Sequence, residues 1–197
     1  ENSVQQFEVY FIDDGSTDNT FSVLQRMHQE DGRLKAIRFR RNFGKSAALA
    51  AGFSSAQGEF VFTMDGDLQD NPAEIPRFLD RLAEGYDLVS GWKYPRLDPL
   101  SKTLPSRIFN WTVGHATGVH LHDLNCGFKV YRRSVTQDLH LYGELHRYTP
   151  VLAHQIGYRV TEIKVTHRPR RFGRSKYGFQ RFARGFFDLL TVLFLGQ

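Results

Sequence analysis

Asp65 and Asp67 stand one residue apart where an apolar run, Phe60-Val61-Phe62-Thr63-Met64, gives way to polar residues; the Gln69 carboxamide follows two positions later. In an extended chain residues i and i+2 project to the same side, so the two carboxylates can address one partner. Carboxylates that close repel each other, and a divalent cation is the usual way to keep both ionised. An Asp-Gly turn after a strand needs the same residue types and no ligand. These residues alone leave the polar turn and the cation site side by side.

Other segments carry chemistry too. Asp13 and Asp14, in Asp13-Asp14-Gly15-Ser16, follow the apolar stretch 7–12. Carboxylates there suit a ribose hydroxyl or a base N–H, or they cap the next turn, and one of each is expected. Lys45, in Asn42-Phe43-Gly44-Lys45-Ser46, has the ending of a phosphate-binding loop, but that pattern needs glycine where Phe39 stands. A nucleoside-triphosphatase is thereby excluded. A lysine that opens a helix still meets anions, because helix N-termini favour negative charge; the plain alternative is a solvated surface lysine.

Seven cations (Arg168, Arg170, Arg171, Arg174, Lys176, Arg181 and Arg184) lie within residues 167–184, with no acid among them. They outnumber the net charge of +5, so the rest of the chain is mildly acidic. The basic segment should face a phosphate, a nucleic acid or a lipid surface. Its few aromatics and the acidic domain around it speak against nucleic acid. The apolar stretch 186–195 that follows is too short to cross a bilayer and suits a buried or interfacial helix, or one that continues further.

The elements that must hold these residues alternate. Strands are expected over 7–12, 34–40, 59–64 and 87–92, and helices over 19–30, 47–56 and 71–84, the last with Pro72 near its start. Short connections between them predict a mostly parallel sheet with helices on both faces. Ligands of such sheets bind beyond the carboxyl ends of the strands, where Asp13, Asp14, Asp65 and Asp67 fall. Beyond Trp92 the pattern loosens: a loop over 93–106, a helix over 107–117, mixed signals over 123–133, short helices over 134–141 and 148–155, and an alternating strand over 158–166. A helix from 178 onward closes the chain.

With 197 residues, 41% of them hydrophobic and 14% aromatic, the chain suits one folded domain. Its one cysteine, Cys126, excludes an internal disulfide and reads as a packed residue, not a nucleophile. The histidines show no zinc-site spacing. No residue pattern specifies an oligomeric state.

Taken together, DDGS, NFGKS and DGDLQ, each after a predicted strand, resemble the family 2 glycosyltransferases, which have the nucleotide-sugar-binding GT-A fold. DLNCGFKVYRR, GELHRYTPVLA and HRPRRFGRSKYG extend the likeness over nearly the whole chain. They resemble the dolichyl-phosphate mannose synthase-like branch and its bacterial polyprenyl-phosphate glycosyltransferase relatives.

The resemblance implies an α/β, GT-A catalytic domain over 1–177, with a nucleotide-sugar half about 1–92 and an acceptor half about 93–177. Residues 178–197 would form an amphipathic helix leading to membrane segments outside this chain. The family's usual first strand, with its Asn-Glu motif, would lie before the first residue. Asp14 would contact the nucleoside, and Lys45, Arg170 and Lys176 would bind the donor. Asp67 and Gln69 would hold Mg²⁺ or Mn²⁺ against the donor diphosphate, with Asp65 at the metal or the nucleotide sugar. Asp123 would serve the acceptor side as a base or an orienting group, and Arg168 would clamp phosphate. The activity implied is inverting transfer of a hexose from a UDP- or GDP-sugar to polyprenyl phosphate, at the cytoplasmic face of the cell membrane. A family 2 enzyme with a glycan or lipid hydroxyl acceptor is the alternative, and a non-catalytic sugar-nucleotide or nucleic-acid binder a remote one.

Overall fold

The computed structural model describes residues 6–94, 100–166, 188 and 191–193. Strand β1 (Val9–Asp13) and strand β2 (Leu34–Arg38) pair in parallel, with helix α1 (Thr20–Glu30) as the crossover between them. Helix α2 (Lys45–Ser55) then leads to β3 (Phe60–Thr63). A 3₁₀ turn (Pro72–Glu74) and α3 (Ile75–Ala83) precede β4 (Leu88–Lys93). The second half adds α4 (Leu100–Thr117), β5 (Lys129–Arg132), α5 (Arg133–Asp138), α6 (Thr149–Gln155) and β6 (Val160–Val165).

β3 to β6 form one sheet in the order β3-β5-β4-β6. β5 runs antiparallel to both neighbours, while β4 and β6 are parallel. β3, β4 and β6 therefore point the same way, and β5 is the inserted exception. Being central, β4 and β5 are covered on both faces, and most of their residues are buried.

Register sorts the side chains into two cores. Val61, Tyr131 and Leu88 lie opposite one another and enter one core with Phe53 of α2, Val135 of α5 and Val151 of α6. Phe62, Val130 and Val89 alternate to the other face, against Phe78 and Leu82 of α3. Phe78 and Phe128 meet there with ring centroids 4.5 Å apart. Helices on both faces of the sheet follow from this alternation.

Most predicted elements form with shifted ends. α2 begins at Lys45 instead of residue 47, which puts Lys45 and Ser46 in its first turn. α4 begins at Leu100 instead of residue 107, so much of the predicted loop is helix; its Gly114 is tolerated because a Cβ there would lie 2.9 Å from His120 Nδ1. The helix predicted over 71–84 opens as a 3₁₀ turn capped by Asn71, whose Oδ1 accepts the Ala73 N–H at 3.3 Å. The mixed signals of 123–133 resolve into a loop and then β5. The helix predicted from 178 falls mostly outside the described residues. Val192 within it is fully buried in the first core, and Gln155 Nε2 donates to its carbonyl at 3.2 Å.

Candidate functional site at the end of β3

The Asp65 to Asp70 segment is a tight turn in which every carboxylate has a structural duty. The Asp65 N–H donates to Asp70 Oδ2 at 3.1 Å, and the Gln69 N–H donates to Asp67 Oδ1 at 3.2 Å. Leu68, 60% exposed, takes φ 62°, a left-handed conformation uncommon for a side chain of its size. Functional segments store such strain. The turn reading is realised here, with Asp70 and Asp67 shaping the backbone that carries Asp65 and Gln69.

Asp65 is met from two sides. Lys45 Nζ, reaching from the first turn of α2, lies 2.5 Å from Asp65 Oδ1. On the other side Gly127, in the loop before β5, lies so near that a Cβ there would meet the carboxylate at 2.5 Å. Burial works against the charge of Asp65. The Lys45 ammonium, with Lys93 and Lys129 behind it, outweighs that and holds the carboxyl below the ordinary range. Asp70 goes the other way: burial raises it, and the Asp65 and Asp67 charges add to the rise.

Two lysines that sequence reasoning missed complete the surroundings. Lys93 ends β4; burial opposes its charge, yet Cys126, Asp70, Asp123 and Asp65 together raise its pKa. Lys129 is 3% exposed, and burial pushes it down to about 8. Its ammonium donates to the Leu124 carbonyl at 3.2 Å and to the Cys126 carbonyl. The 123–127 loop is thus folded around a buried cation. A lysine inside the apolar run Gly127-Phe128-Lys129-Val130-Tyr131 was the available signal for it.

The loop also brings Asp123 to the site. Asp123 is 3% exposed and lies close enough to Lys93 and Lys129 for its charge to favour both ammonium groups, helping to raise Lys93 and opposing the burial that lowers Lys129. The residue before it is clamped: the His122 N–H donates to Glu162 Oε2 at 2.8 Å, its Nδ1 bonds Glu162 Oε1, and its ring stacks on Trp92 at 3.9 Å. Cys126 sits within the same loop with its thiol pushed up to about 12, chiefly by burial. It remains a neutral, packed thiol, as expected.

The DDGS and NFGKS segments meet next to α2. Gly15, at φ 77°, packs so closely on the backbone of Arg41 and Asn42 that a Cβ there would lie 2.5 Å from the Arg41 carbonyl carbon. Asp14 accepts the N–H groups of Phe43 at 2.7 Å and Gly44 at 3.0 Å, so it fastens the loop that launches α2. Asp13, 4% exposed, accepts the Ser16 N–H at 2.8 Å. Its Oδ2 makes no hydrogen bond, with Arg38 Nε 3.7 Å away. Both aspartates are thus engaged within the fold.

Asp14, Lys45, Asp65, Asp67, Gln69 and Asp123 fall within the described residues, and the contacts above join Lys45, Asp65 and the Asp123 loop directly. Arg168, Arg170 and Lys176 lie outside the described residues. Among the described residues no three His, Cys, Asp or Glu side chains cluster tightly enough to hold a metal ion by themselves. Asp65, Asp67 and Gln69 offer side-chain oxygens, and Asp65 already receives one cation, Lys45. That fits a hard divalent ion that takes one or two carboxylates and draws the rest of its shell from phosphate and water.

The chain as a whole has known relatives. Over 188 residues the chain is 39% identical to the undecaprenyl-phosphate 4-deoxy-4-formamido-L-arabinose transferase of Pseudomonas aeruginosa, a match covering 95% of this chain and 56% of that protein. Over 194 residues it is 40% identical to the dodecaprenyl-phosphate galacturonate synthase of Rhizobium johnstonii, covering 96% and 57%. The chain therefore spans a little over half the length of these relatives. Among solved structures, it is similar to glucosyl-3-phosphoglycerate synthase from Mycobacterium tuberculosis with Mn²⁺, UDP-glucose and phosphoglyceric acid, at TM-score 0.66 and 17% identity, covering 95% of this chain and 67% of that one. A mannosyltransferase from Pyrobaculum calidifontis with GDP-mannose and Mn²⁺ matches at TM-score 0.63 and 21% identity, covering 95% and 54%. These likenesses show the fold, which is GT-A. The sequence profile of glycosyl transferase family 2 matches residues 1–139, and the chain belongs to that family.

Proposed function

We propose that this chain carries the catalytic site of a metal-dependent, inverting glycosyltransferase that moves a sugar from a nucleotide sugar to a polyprenyl phosphate. The observation that carries the reading is the contact of Asp65 with both halves of the molecule, Lys45 of the donor side and Gly127 of the acceptor-side loop. The acceptor class is supported by relatives of 39% and 40% identity whose names specify polyprenyl phosphates. Those relatives carry different sugars, a formamido-arabinose and a galacturonate, so the reading commits to the acceptor before the sugar.

In this reading Asp65, Asp67 and Gln69 would hold Mg²⁺ or Mn²⁺. Such an ion, when bound, would supply charge stabilisation for the departing nucleoside diphosphate. Lys45 moves from Asp65 to a diphosphate oxygen, where the N-terminus of α2 adds its dipole. Asp14 shapes the nucleoside side through the loop that it fastens. An acceptor phosphate oxygen attacks the anomeric carbon as the bond to the diphosphate breaks on the opposite face, with inversion. That oxygen is already anionic at neutral pH, so the work assigned to Asp123 is to hold the acceptor loop, with little need for proton removal. Arg168, Arg170 and Lys176 are assigned to the phosphates of donor and acceptor, which suit arginine forks.

The membrane setting is part of the proposal: a polyprenyl phosphate is presented at a bilayer surface, here the cytoplasmic face. No helix among the described residues is long and apolar enough to cross a membrane. The test is transfer of radiolabelled sugar from a panel of UDP- and GDP-sugars by full-length protein in membranes with undecaprenyl phosphate. A lipid-linked labelled product is expected. Transfer only to a glycan or lipid hydroxyl supplied in parallel would overturn the acceptor assignment.

A further inference from the structure

Gly127 has no need of glycine for its backbone, because its φ lies outside the left-handed region that several other glycines occupy. What excludes a side chain is Asp65. A Cβ on Gly127 would lie 2.5 Å from Asp65 Oδ2, 2.6 Å from Cγ and 2.8 Å from Oδ1. A side chain at 127 would thus run into the whole carboxylate.

The seat is itself held in place. The Gly127 carbonyl accepts from Thr63 Oγ1 at 2.8 Å, on the strand that delivers Asp65. On the other side the peptide before Gly127 is tied to the buried Lys129 ammonium through the Leu124 and Cys126 carbonyls. A buried ammonium leaves few alternative conformations to such a loop, since each would strand its donors.

We propose that Gly127 is a positioning residue that seats the Asp65 carboxylate for the metal and diphosphate, with Lys129 as the fixed post of its loop. The inference rests on the role assigned to Asp65 above. It also gives the acceptor loop a direct say in donor binding, because a shift of that loop moves the carboxylate.

The experiment is a double-mutant cycle of G127A and D65A in the full-length protein, read by thermal midpoint and by Mn²⁺ titration calorimetry with UDP present. G127A should lower the midpoint in the wild-type background but not in the D65A background, where no carboxylate remains to clash. Its Mn²⁺ affinity should fall about tenfold or more, the range seen when a group orienting a ligand is lost. If G127A does not fold alone, recovery of folding in the double variant carries the same meaning. An equal loss of midpoint in both backgrounds, or no recovery, would overturn the seat. Wild-type protein that binds no Mn²⁺ would instead overturn the metal reading, while the thermal cycle still decides whether Gly127 seats Asp65.

Discussion

Lys45 Nζ and Asp65 Oδ1 lie 2.5 Å apart, joining the first turn of α2 to the turn that ends β3. The pair holds the place of two charges that the proposed donor complex would separate, the lysine going to phosphate and the carboxylate to the metal. Both side chains are more than a third exposed, so the pair adds less than about 1 kcal/mol to stability. K45M should therefore leave the thermal midpoint nearly unchanged while transfer falls about a hundredfold, as when one stabilising donor is removed. A large loss of midpoint with little loss of transfer would place Lys45 in the scaffold instead.

Removal of the metal and of its central ligand should converge. EDTA should abolish transfer, and excess Mn²⁺ or Mg²⁺ should restore it. D67A should abolish transfer beyond rescue. Because the Gln69 N–H donates to Asp67, D67N is the milder control for the turn, keeping an acceptor oxygen but not the charge. Transfer indifferent to EDTA would remove the metal from the mechanism.

Lys129 makes stability depend on pH in the alkaline range. Burial lowers its pKa from 10.5 to about 8, so between those values the unfolded chain binds the proton that the folded chain has lost. Stability then rises with pH across that window, and the penalty for the charged form is complete below it. The shift corresponds to about 3 kcal/mol at most. Urea midpoints of wild type should rise from pH 8 to 10 relative to those of K129M, which has nothing to titrate there.

Glu162 holds His122, the residue before Asp123, by accepting its N–H at 2.8 Å while Trp92 stacks on the ring at 3.9 Å. E162A should loosen the acceptor loop and raise KM for polyprenyl phosphate about tenfold, with KM for the nucleotide sugar changed less. E162Q keeps one acceptor oxygen for the N–H and should recover much of the loss. Equal effects on both substrates would count against a role confined to the acceptor side.

Phe78 tests the scaffold below the site. It is fully buried and packs on Phe62 and Phe128 beneath β3 and the 123–127 loop. F78A should cost about 3–5 kcal/mol by chemical denaturation, from lost burial and the cavity left behind. A loss below about 1 kcal/mol would mean that the helix collapses into the space instead.

Read as sequence, the chain already places Asp14, Lys45, Asp65 and Asp67 at the junctions of strands and helices. Those assignments depend on local periodicity and turn chemistry, which neighbouring residues dictate. The double duty of Asp67, as turn former and candidate ligand, was likewise present in the Asp-Gly-Asp spacing. Tertiary structure decided what depends on distant partners. β5 lies antiparallel between β3 and β4, a choice of strand neighbours made by segments up to about seventy residues apart, with no local signature. Because β5 is central, Lys129 is buried rather than solvated, and its ammonium gathers the loop that carries Asp123 and Gly127. Asp14 turns out to spend both oxygens on the Phe43 and Gly44 N–H groups, which only the packing of two loops can dictate. The carboxylates were legible as chemistry. Lys93, Lys129 and Gly127, which surround Asp65, became legible only when the two halves of the chain were brought together.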